Sequence, residues 1–417
     1  MRLGHVIALS PNKTQIKQMV CAAGVARFTY NWGLNKWNEQ YEKGLKPNGN
    51  KLRKEFNNLK REAFPWVMES PKDANNQAFR DLQQGWKNFF DSNSGKRKGL
   101  KVGKPTFKKK NRNGSFYVSN DKFHFEPDGK HVVLPIFGRM RIREPLRLKG
   151  KICFARVKCK AGRWYLSVVV DVADPKKKVP KDRRKIVGVD LGIKTAAVVS
   201  QGASFDAPRP LRRYLKKLKQ ANRRLSRRQK GGSNRRKACE CLAKIHEKIA
   251  NIRKDFWQKA TTHICLENQE IVIEDLYIQF MLKNHKMAHA ASDVALGMFR
   301  PMMVYKQAIF DCKLHIADRW FPSTQRCSRC GCIKCGENKM VLGQSVFVCD
   351  VCGYTEDRDK NSSYNLEQYP KLSGNWRPSA ANAHGDHAST DWPVQSASEI
   401  EEVGTKMTIS VDVSLRF

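Results

Sequence analysis

No apolar run in this chain approaches the roughly eighteen residues that a membrane span requires, and the opening MRLGHVIALSPNKT holds only a short apolar segment. The expectation is a soluble, unexported protein, cytoplasmic and associated with the nucleoid. Acidic residues are scarce: 39 stand against 79 Lys and Arg, a formal net charge of +40. A solvated surface would balance the two signs. The imbalance argues for a polyanionic partner, nucleic acid first, which a basic protein binds by releasing counterions. A disulfide framework is also missing. Of 13 cysteines, seven are scattered singly or as the Cys239/Cys241 pair and the rest show metal spacing, the usage of a reducing compartment. What is present is enough to fill cores: 9 Trp, 20 Phe and 40% hydrophobic residues in 417, room for about two to four domains.

Along the chain, GHVIAL (4–9) reads as a strand, and Pro11 precedes a long helical stretch, TQIKQMVCAAGVARFTYNWGLNKWNEQYEKG. In DANNQAFRDLQQGWKNFFDS, residues Ala78, Leu82, Trp86 and Phe89 recur at helical spacing, most simply as core positions. A Gly- and Lys-rich connector, GKRKGLKVGKPTFKKKNRNGSF, leads into shorter strand-like segments, of which ICFARVKC and RWYLSVVVDV flank a hairpin turn at KAGR. A small β-domain with a helical insertion accounts for these residues. The basic, Pro-containing DPKKKVPKDRRK (174–185) marks a boundary, and KIVGVDLGIKTAAVVS opens the next domain as two strand-like runs around Gly192. An antiparallel helical hairpin follows, with Leu211, Leu215, Leu218 and Leu225 on one arm, Ala238, Leu242, Ile245, Ile249, Ile252 and Phe256 on the other, and its turn at KGGSN. Its outer faces carry Arg223, Arg224, Arg227 and Arg228, which suit phosphate-backbone contact better than a coiled-coil partner. The strand EIVIEDL, a helix through GMFRPMMVYKQAIFD and the strand KLHIA come next. Residues 371–417 are Ser-, Ala- and Asn-rich without periodicity and are expected to be disordered.

Two constellations carry chemistry. Three CxxC turns, each followed by glycine, lie close together: Cys327/Cys330, Cys332/Cys335 and Cys349/Cys352. Pairing the outer two leaves 18 intervening residues, within the usual window for a zinc site, whereas the middle pair would leave 13. Cys327, Cys330, Cys349 and Cys352 are therefore the expected ligands of one structural Zn2+, with every position filled by thiolate. A six-cysteine cluster of two zinc ions and metal-free buried thiols are the competing readings. The second constellation is acidic. Asp190 in GVDLG follows an apolar run, Glu274 ends another in IVIE, and Asp357 and Asp359 begin what reads as a helix, DRDKNSSYNLEQY. Carboxylates at the ends of buried strands are costly unless they hold something positive. Acids converging from distant segments of a basic chain suggest two Mg2+ ions, about 4 Å apart, acting on a phosphodiester.

GVDLGIK, IVIEDL, FPSTQRCSRCG and CDVCGYTEDRDKNSSYNL, in that order, resemble the TnpB family, the transposon-encoded ancestor group of type V CRISPR effectors. The resemblance extends to YNWGLNKW, FKKKNRNGSF and HEKIANIRKDFWQK and covers nearly the whole chain to about residue 370. It implies a mixed α/β multidomain fold: a RuvC-type, RNase H-like nuclease domain (181–323 and 356–370) with an inserted helical hairpin (208–260) and zinc ribbon (324–355). A β-barrel-like wedge (WED) domain (1–10 and 96–180) with a helical recognition (REC) insertion (11–95) would precede it. It further implies an RNA-guided DNA endonuclease, a monomeric ribonucleoprotein whose partners are a guide RNA from the transposon end and double-stranded target DNA beside a short flanking motif. The family's three metal-binding acids fall on Asp190, Glu274 and Asp359, with Asp357 as second choice. Lys108, Lys109, Lys110 and Arg112 become backbone contacts, and Tyr30, Asn31, Trp32, Asn76 and Gln77 candidates for the flanking duplex, although core packing explains the aromatics equally well. The chain departs from the family at Ser362 and Ser363, where alanine is frequent, and in its extra CIKC pair. A guided repressor that does not cut and a RuvC-like resolvase that needs no RNA are the alternative classes.

Overall fold

The computed structural model describes residues 1–97, 99–110, 114–174, 176–285, 287–341 and 343–372. Arg112 and the tail beyond residue 372 lie outside the described residues. No helix among the described residues is long and apolar enough to cross a membrane. The chain divides into two compact units, the first ending at Asp174.

The first unit contains β1 (Arg2–Ser10), α1 (Lys13–Glu42), α2 (Gly49–Ala63), α3 (Lys72–Asn93), β2 (Ser115–Ser119), β3 (His124–Phe125), β4 (His131–Leu134), β5 (Gly138–Ile142), β6 (Lys151–Lys160) and β7 (Arg163–Asp171). The strands form one antiparallel sheet in the order β2-β6-β7-β1-β5-β4-β3. Strand β1 holds it together, pairing with β7 over Arg2 to Ala8 and with β5 over Leu9 and Ser10. No ladder joins β2 to β3 among the described residues, so the sheet is open in hydrogen-bonding terms.

Helix α1 begins on a capping box: Gln15 N donates to Asn12 Oδ1 and Asn12 N to Gln15 Oε1. The Gln15 amide also donates to Phe137 O and Arg139 O, fastening the helix start to the β4–β5 turn. At the other end of the insertion, Asp73 in the first turn of α3 accepts from Ser119 N and Oγ at the end of β2. Helices and sheet share one apolar cluster, in which Ala78, Leu82 and Trp86 are buried as their spacing predicts and Phe89 packs at its margin. The rings of Trp37 and Trp86 stack at 5.6 Å across the α1–α3 contact.

The second unit contains β8 (Arg184–Asp190), β9 (Thr195–Val199), β10 (Ser204–Asp206), α4 (Pro210–Ser226), α5 (Ser233–Glu267), β11 (Asn268–Glu274), α6 (Ile278–Lys283), α7 (Ala288–Val294), α8 (Phe299–Phe310), β12 (Lys313–Ala317), β13 (Val346–Val348), β14 (Thr355–Asp357) and α9 (Arg358–Leu372). Its main sheet has the order β10-β9-β8-β11-β12; β8 is antiparallel to β9 and parallel to β11, which is parallel to β12. Helices α4 and α5 form the expected hairpin, but its seam is narrow. Leu218, Ala221, Ala238 and Ile249 are buried, while Leu211, Leu215, Leu225, Leu242, Ile245, Ile252 and Phe256 are half-buried. The firmer core of α5 is Trp257, fully buried against Phe299. Buried Asp293 in α7 starts α4 from outside, accepting from Leu211 N and Arg212 N at 2.7 and 2.9 Å.

Helix α9 lies directly on β8. A Cβ added at Gly188 would stand 2.0 Å from Ser363 O and 2.5 Å from Glu367 N, both backbone atoms that cannot swing away. Replacing Gly188 by Ala forces the helix off the strand, and the expected loss is about 1–3 kcal/mol, the ordinary cost of overpacking, or more where backbone must move. Urea denaturation of the variant against the parent chain measures it.

Candidate active site and metal centre

Asp190 and Glu274 are the last residues of β8 and β11. Those strands run parallel and adjacent with Val189 opposite Ile273, so the two carboxylates leave neighbouring strand ends at the same edge. Open α/β sheets bind ligands at this carboxyl end. Asp359 arrives from the first turn of α9, carried there by the Gly188 contact, and its Oδ2 lies 3.7 Å from the Cβ position of Gly192 in the loop after β8.

Burial makes the group expensive. Asp190 is 6% exposed. Burial, then the neighbouring charge of Asp359, pushes its carboxyl up to about 7, against the pull of the Ser362 hydroxyl. Burial and the Asp190 charge push Glu274 up to about 8. Ser362 Oγ donates to Asp190 Oδ1 at 2.8 Å, Leu191 N approaches Glu274 Oε1 at 3.4 Å, and the Arg358 guanidinium donates to Asp359 Oδ1 at 2.8 and 3.0 Å. Buried carboxylates that repel one another at the ends of neighbouring strands have the chemistry that hard divalent cations favour. Their oxygens do not all lie within 4.8 Å of one another, as the four cysteine sulfurs do.

Asp357 has another task. It does not stand on the helix, as its place in DRDK predicts, but closes β14, where its Oδ1 accepts from Asp359 N and Lys360 N. It is the N-cap of α9. An Asp two residues before a helical acid is a legible cap signal; Ser362 gave none, standing only as a departure from alanine.

The four expected cysteines converge. Cys327 Sγ lies 3.7 Å from Cys352 Sγ and Cys330 Sγ 3.6 Å from Cys349 Sγ, and all four sulfurs fall within 4.8 Å of one another. A tetrahedron with Zn–S bonds of 2.3 Å has edges of about 3.8 Å, so this donor set fits zinc and is too open for disulfides. Backbone amides of Cys352 and Val351 pull the Cys349 thiol down to about 6, toward the thiolate a metal needs. Cys332 and Cys335 stay outside the four: Cys332 packs beside Cys327 and Phe347, and the exposed Cys335 thiol points to Ile333 O. The other close donor group, Glu126, Asp128 and His131, is engaged by Arg139, which donates to both Glu126 oxygens at 2.9 Å.

The first CxxC turn is sewn to α9. Ser328 N donates to Asn361 Oδ1, the Asn361 and Asn365 amides donate to Arg326 O, and Arg326 Nη1 donates to Asn365 Oδ1 and Gln368 Oε1. The second turn enters α9 through the β13–β14 ladder, which pairs Val346 with Asp357.

The expected nucleic-acid residues are dispersed. Tyr30 is buried with the Lys108 ammonium 3.6 Å over its ring, and the Asn31 amide pairs both ways with the Lys108 backbone. These two hold the 104–110 segment in place. Trp32 packs on Phe56 and Phe79 in the core. Gln77, Lys108 and Lys109 line a cleft of about 280 Å³ with Arg27, Asp81 and Arg156, while Lys110 is exposed. Asn76 Oδ1 is buried without a partner. Arg223, Arg224, Arg227 and Arg228 are exposed at the tip of the hairpin.

Comparison with known proteins finds relatives over most of the chain's length. The chain is 30% identical over 378 residues to "Putative RNA-guided DNA endonuclease InsQ" of Escherichia coli (strain K12), covering 86% of this chain and 90% of that one. The chain belongs to the TnpB family. Three family models match this TnpB chain: "Probable transposase" over residues 167–285, which contain Asp190 and Glu274; "Cas12f1-like, TNB domain" over 297–366, which contain the cysteines and Asp359; and "Helix-turn-helix domain" over 1–46. Within that last span stand one strand and one 30-residue helix. A "Putative RNA-guided DNA endonuclease" of Streptomyces pristinaespiralis is 38% identical over 207 residues, half the length of each chain. A cryo-EM structure of a Cas12f1–sgRNA–target DNA complex shares the mixed α/β fold at TM-score 0.50 and 14% identity, over 85% of this chain and 82% of that one.

Two outcomes follow from the geometry. Asp357→Asn keeps the capping oxygen and the stability of the chain, Asp357→Ala loses about 1 kcal/mol, and thermal denaturation separates them. The folded protein binds protons at Asp190 and Glu274 more tightly than the unfolded chain does. That contribution to stability is full below about pH 4 and is lost as pH rises through about 7 to 8. In metal-free buffer the melting temperature of Asp190→Asn therefore overtakes that of the parent chain as pH rises. Added Mg2+ closes the gap, more strongly at about pH 8 than at about pH 5.

Proposed function

We propose that this chain is an RNA-guided DNA endonuclease of a transposable element, cutting DNA beside a short flanking motif with Asp190, Glu274 and Asp359 as its catalytic, metal-binding acids. The observation that carries the reading is the delivery of three carboxylates from β8, β11 and α9 to one sheet edge, with a buried serine hydroxyl on the first of them. Three antiparallel strands continued by two parallel ones, with acids at the ends of the central pair, support a RuvC-type, RNase H-like nuclease domain. The names of the relatives support the guide and the DNA substrate.

Two Mg2+ ions held by the three acids would lower the pKa of the attacking water and stabilise the leaving 3′-oxygen. The chain's own contribution is arrangement. Ser362 fixes the Asp190 carboxylate, which leaves its second oxygen for the cation, and Arg358 does the same for Asp359. Burial excludes bulk water and keeps the acids from being screened. Cys327, Cys330, Cys349 and Cys352 hold one structural Zn2+, whose closed coordination keeps the first CxxC turn against Asn361 and Asn365 and so sets the start of α9. Lys109, Lys110 and the arginines at the hairpin tip bind phosphate backbone, while the guide supplies sequence by base pairing.

A cleavage assay in Mg2+ tests this, using the protein with the structured RNA that copurifies with it and a target matching that guide. The parent chain cuts, and Asp190→Ala retains binding of RNA and target while cleavage falls to background. Equal cutting by both proteins overturns the metal-site assignment. Binding without cutting by the parent chain favours the repressor, and cutting of branched DNA without RNA favours the resolvase.

A further inference from the structure

The helical part of the first unit holds a cavity that hydrolysis at the acids does not use. It measures about 720 Å³ and lies among the end of α2, the 3-10 turn Pro65–Glu69 and the start of α3, a volume within the range of small-molecule sites. Three of its lining side chains are polar and buried: Lys60 is 8% exposed, Ser70 7% and Asn75 2%. Buried polar groups are ordinarily paired, and two of these are not fully so. The Lys60 ammonium, which can donate three hydrogen bonds, donates to Asn57 Oδ1 at 2.7 Å, an uncharged partner. Asn75 Oδ1 has no hydrogen-bond partner.

The charge that bears on Lys60 is of its own sign. Arg61 and Lys72 line the same cavity, and burial, then repulsion by those two cations, pulls the Lys60 ammonium down from the usual lysine value. The acid Glu62 also lines the cavity, exposed next to Arg61. The start of α3 falls between Ser70 and Lys72 on the same wall, and no side-chain hydrogen bond caps it at Pro71; the start of a helix favours negative charge. A lysine that is desolvated and repelled at once weakens a fold unless an anion pairs with it. Asn58, Val67 and Met68 complete the lining with an amide and apolar surface, the make-up that holds a nucleobase by its edge and its face.

We propose that this cavity is a nucleotide site, in which Lys60, Arg61 and Lys72 take a terminal phosphate while the Asn75 amide and the Met68 side chain meet the nucleoside. The site belongs to the first unit and does not depend on the acids of the second. The phosphate it suits is a monoester. At neutral pH a monoester carries a charge of about −1.5 to −2, against about −1 for each phosphate inside a strand, and it hangs from a single ester link. A duplex laid across the cavity would rest its phosphodiesters on the exposed Arg61 and Lys72 and leave the buried Lys60 unmatched. A free nucleotide, or the phosphorylated end of a strand, can go in.

Isothermal titration of AMP into the full chain, freed of copurified nucleic acid, tests the site. AMP binds and adenosine does not. Lys60→Met weakens AMP binding by about 10- to 150-fold, the loss of a charged hydrogen bond, and Asn75→Ala by about 2- to 10-fold. Lys54→Met, which removes the same charge from an exposed position on α2, leaves it unmoved. Thermal denaturation adds a readout that a structural lysine would not give: without nucleotide Lys60→Met melts above the parent chain, and AMP raises the melting temperature of the parent but not of the variant. A 5′-phosphorylated tetranucleotide that binds more tightly than AMP identifies the ligand as a strand end, and the reverse order identifies it as a free nucleotide. Equal binding of 5′-hydroxyl and 5′-phosphorylated tetranucleotides overturns the proposal in favour of backbone contact. AMP binding that survives Lys60→Met unchanged also overturns it, as does a parent chain that binds neither AMP nor the phosphorylated tetranucleotide.

Discussion

The contact on which the second unit depends is a backbone against a backbone. At Gly188 the strand has no side chain, and the main chain of α9 occupies the space where one would be. Ser362 and Ser363 are fully buried at that crossing, small enough to let the helix approach. The Ser200 hydroxyl accepts from Gly188 N and the Gly188 carbonyl accepts from Ser200 N, so the strand at the crossing is pinned from its other side as well. The β8–β11 ladder sets Asp190 beside Glu274, and the approach of Asp359 to that pair inherits the Gly188 contact. A helix held farther away would leave Asp359 short of Asp190 and Glu274 and would take the Ser362 hydroxyl from the Asp190 carboxylate that it partly compensates.

The cysteine module supplies the complementary constraint, along the helix axis instead of perpendicular to the sheet. Gly188 sets how close α9 lies; the hydrogen bonds from Arg326 and Ser328 to Asn361, Asn365 and Gln368 set how far it slides. The Asp357 cap sets where it begins. Three independent devices therefore converge on one carboxylate. The nearness of six cysteines to an acidic cluster in the sequence reflects this mechanical coupling and not a shared metal.

Much of this was legible before any coordinates. Apolar runs ending in single acids, VGVD and IVIE, point to strand-end carboxylates because burying a charge needs a reason, and the 18-residue gap between CxxC turns selects the outer pairs. The helical spacing of Ala78, Leu82 and Trp86 identifies a core face. What stayed hidden depends on the third dimension. Ser362 reads as a family departure until the helix is laid on the strand, and only then does its hydroxyl meet Asp190. Tyr30 and Asn31 read as candidate contacts for DNA, yet the fold spends them on Lys108. The hairpin leucines predict a broad seam, but Trp257, outside the pattern, carries the tighter packing. Periodicity names which residues could be buried; it does not say against what.

The module between β12 and α9 is closed by sulfur at both of its ends, and Met340, between the inner cysteines, is tied back to it by a backbone that pairs both ways with the Gln325 amide. Lengthening a loop whose ends are already fixed adds little entropy cost, about 0.6 kcal/mol for each doubling. The exposed residues 336–339, between the CIKC turn and that anchor, therefore work as a graft point. Insertions there change the outline of the protein near its cutting edge while the four sulfurs, the helix and the acids keep their register, and the CIKC turn stands where such an addition would begin.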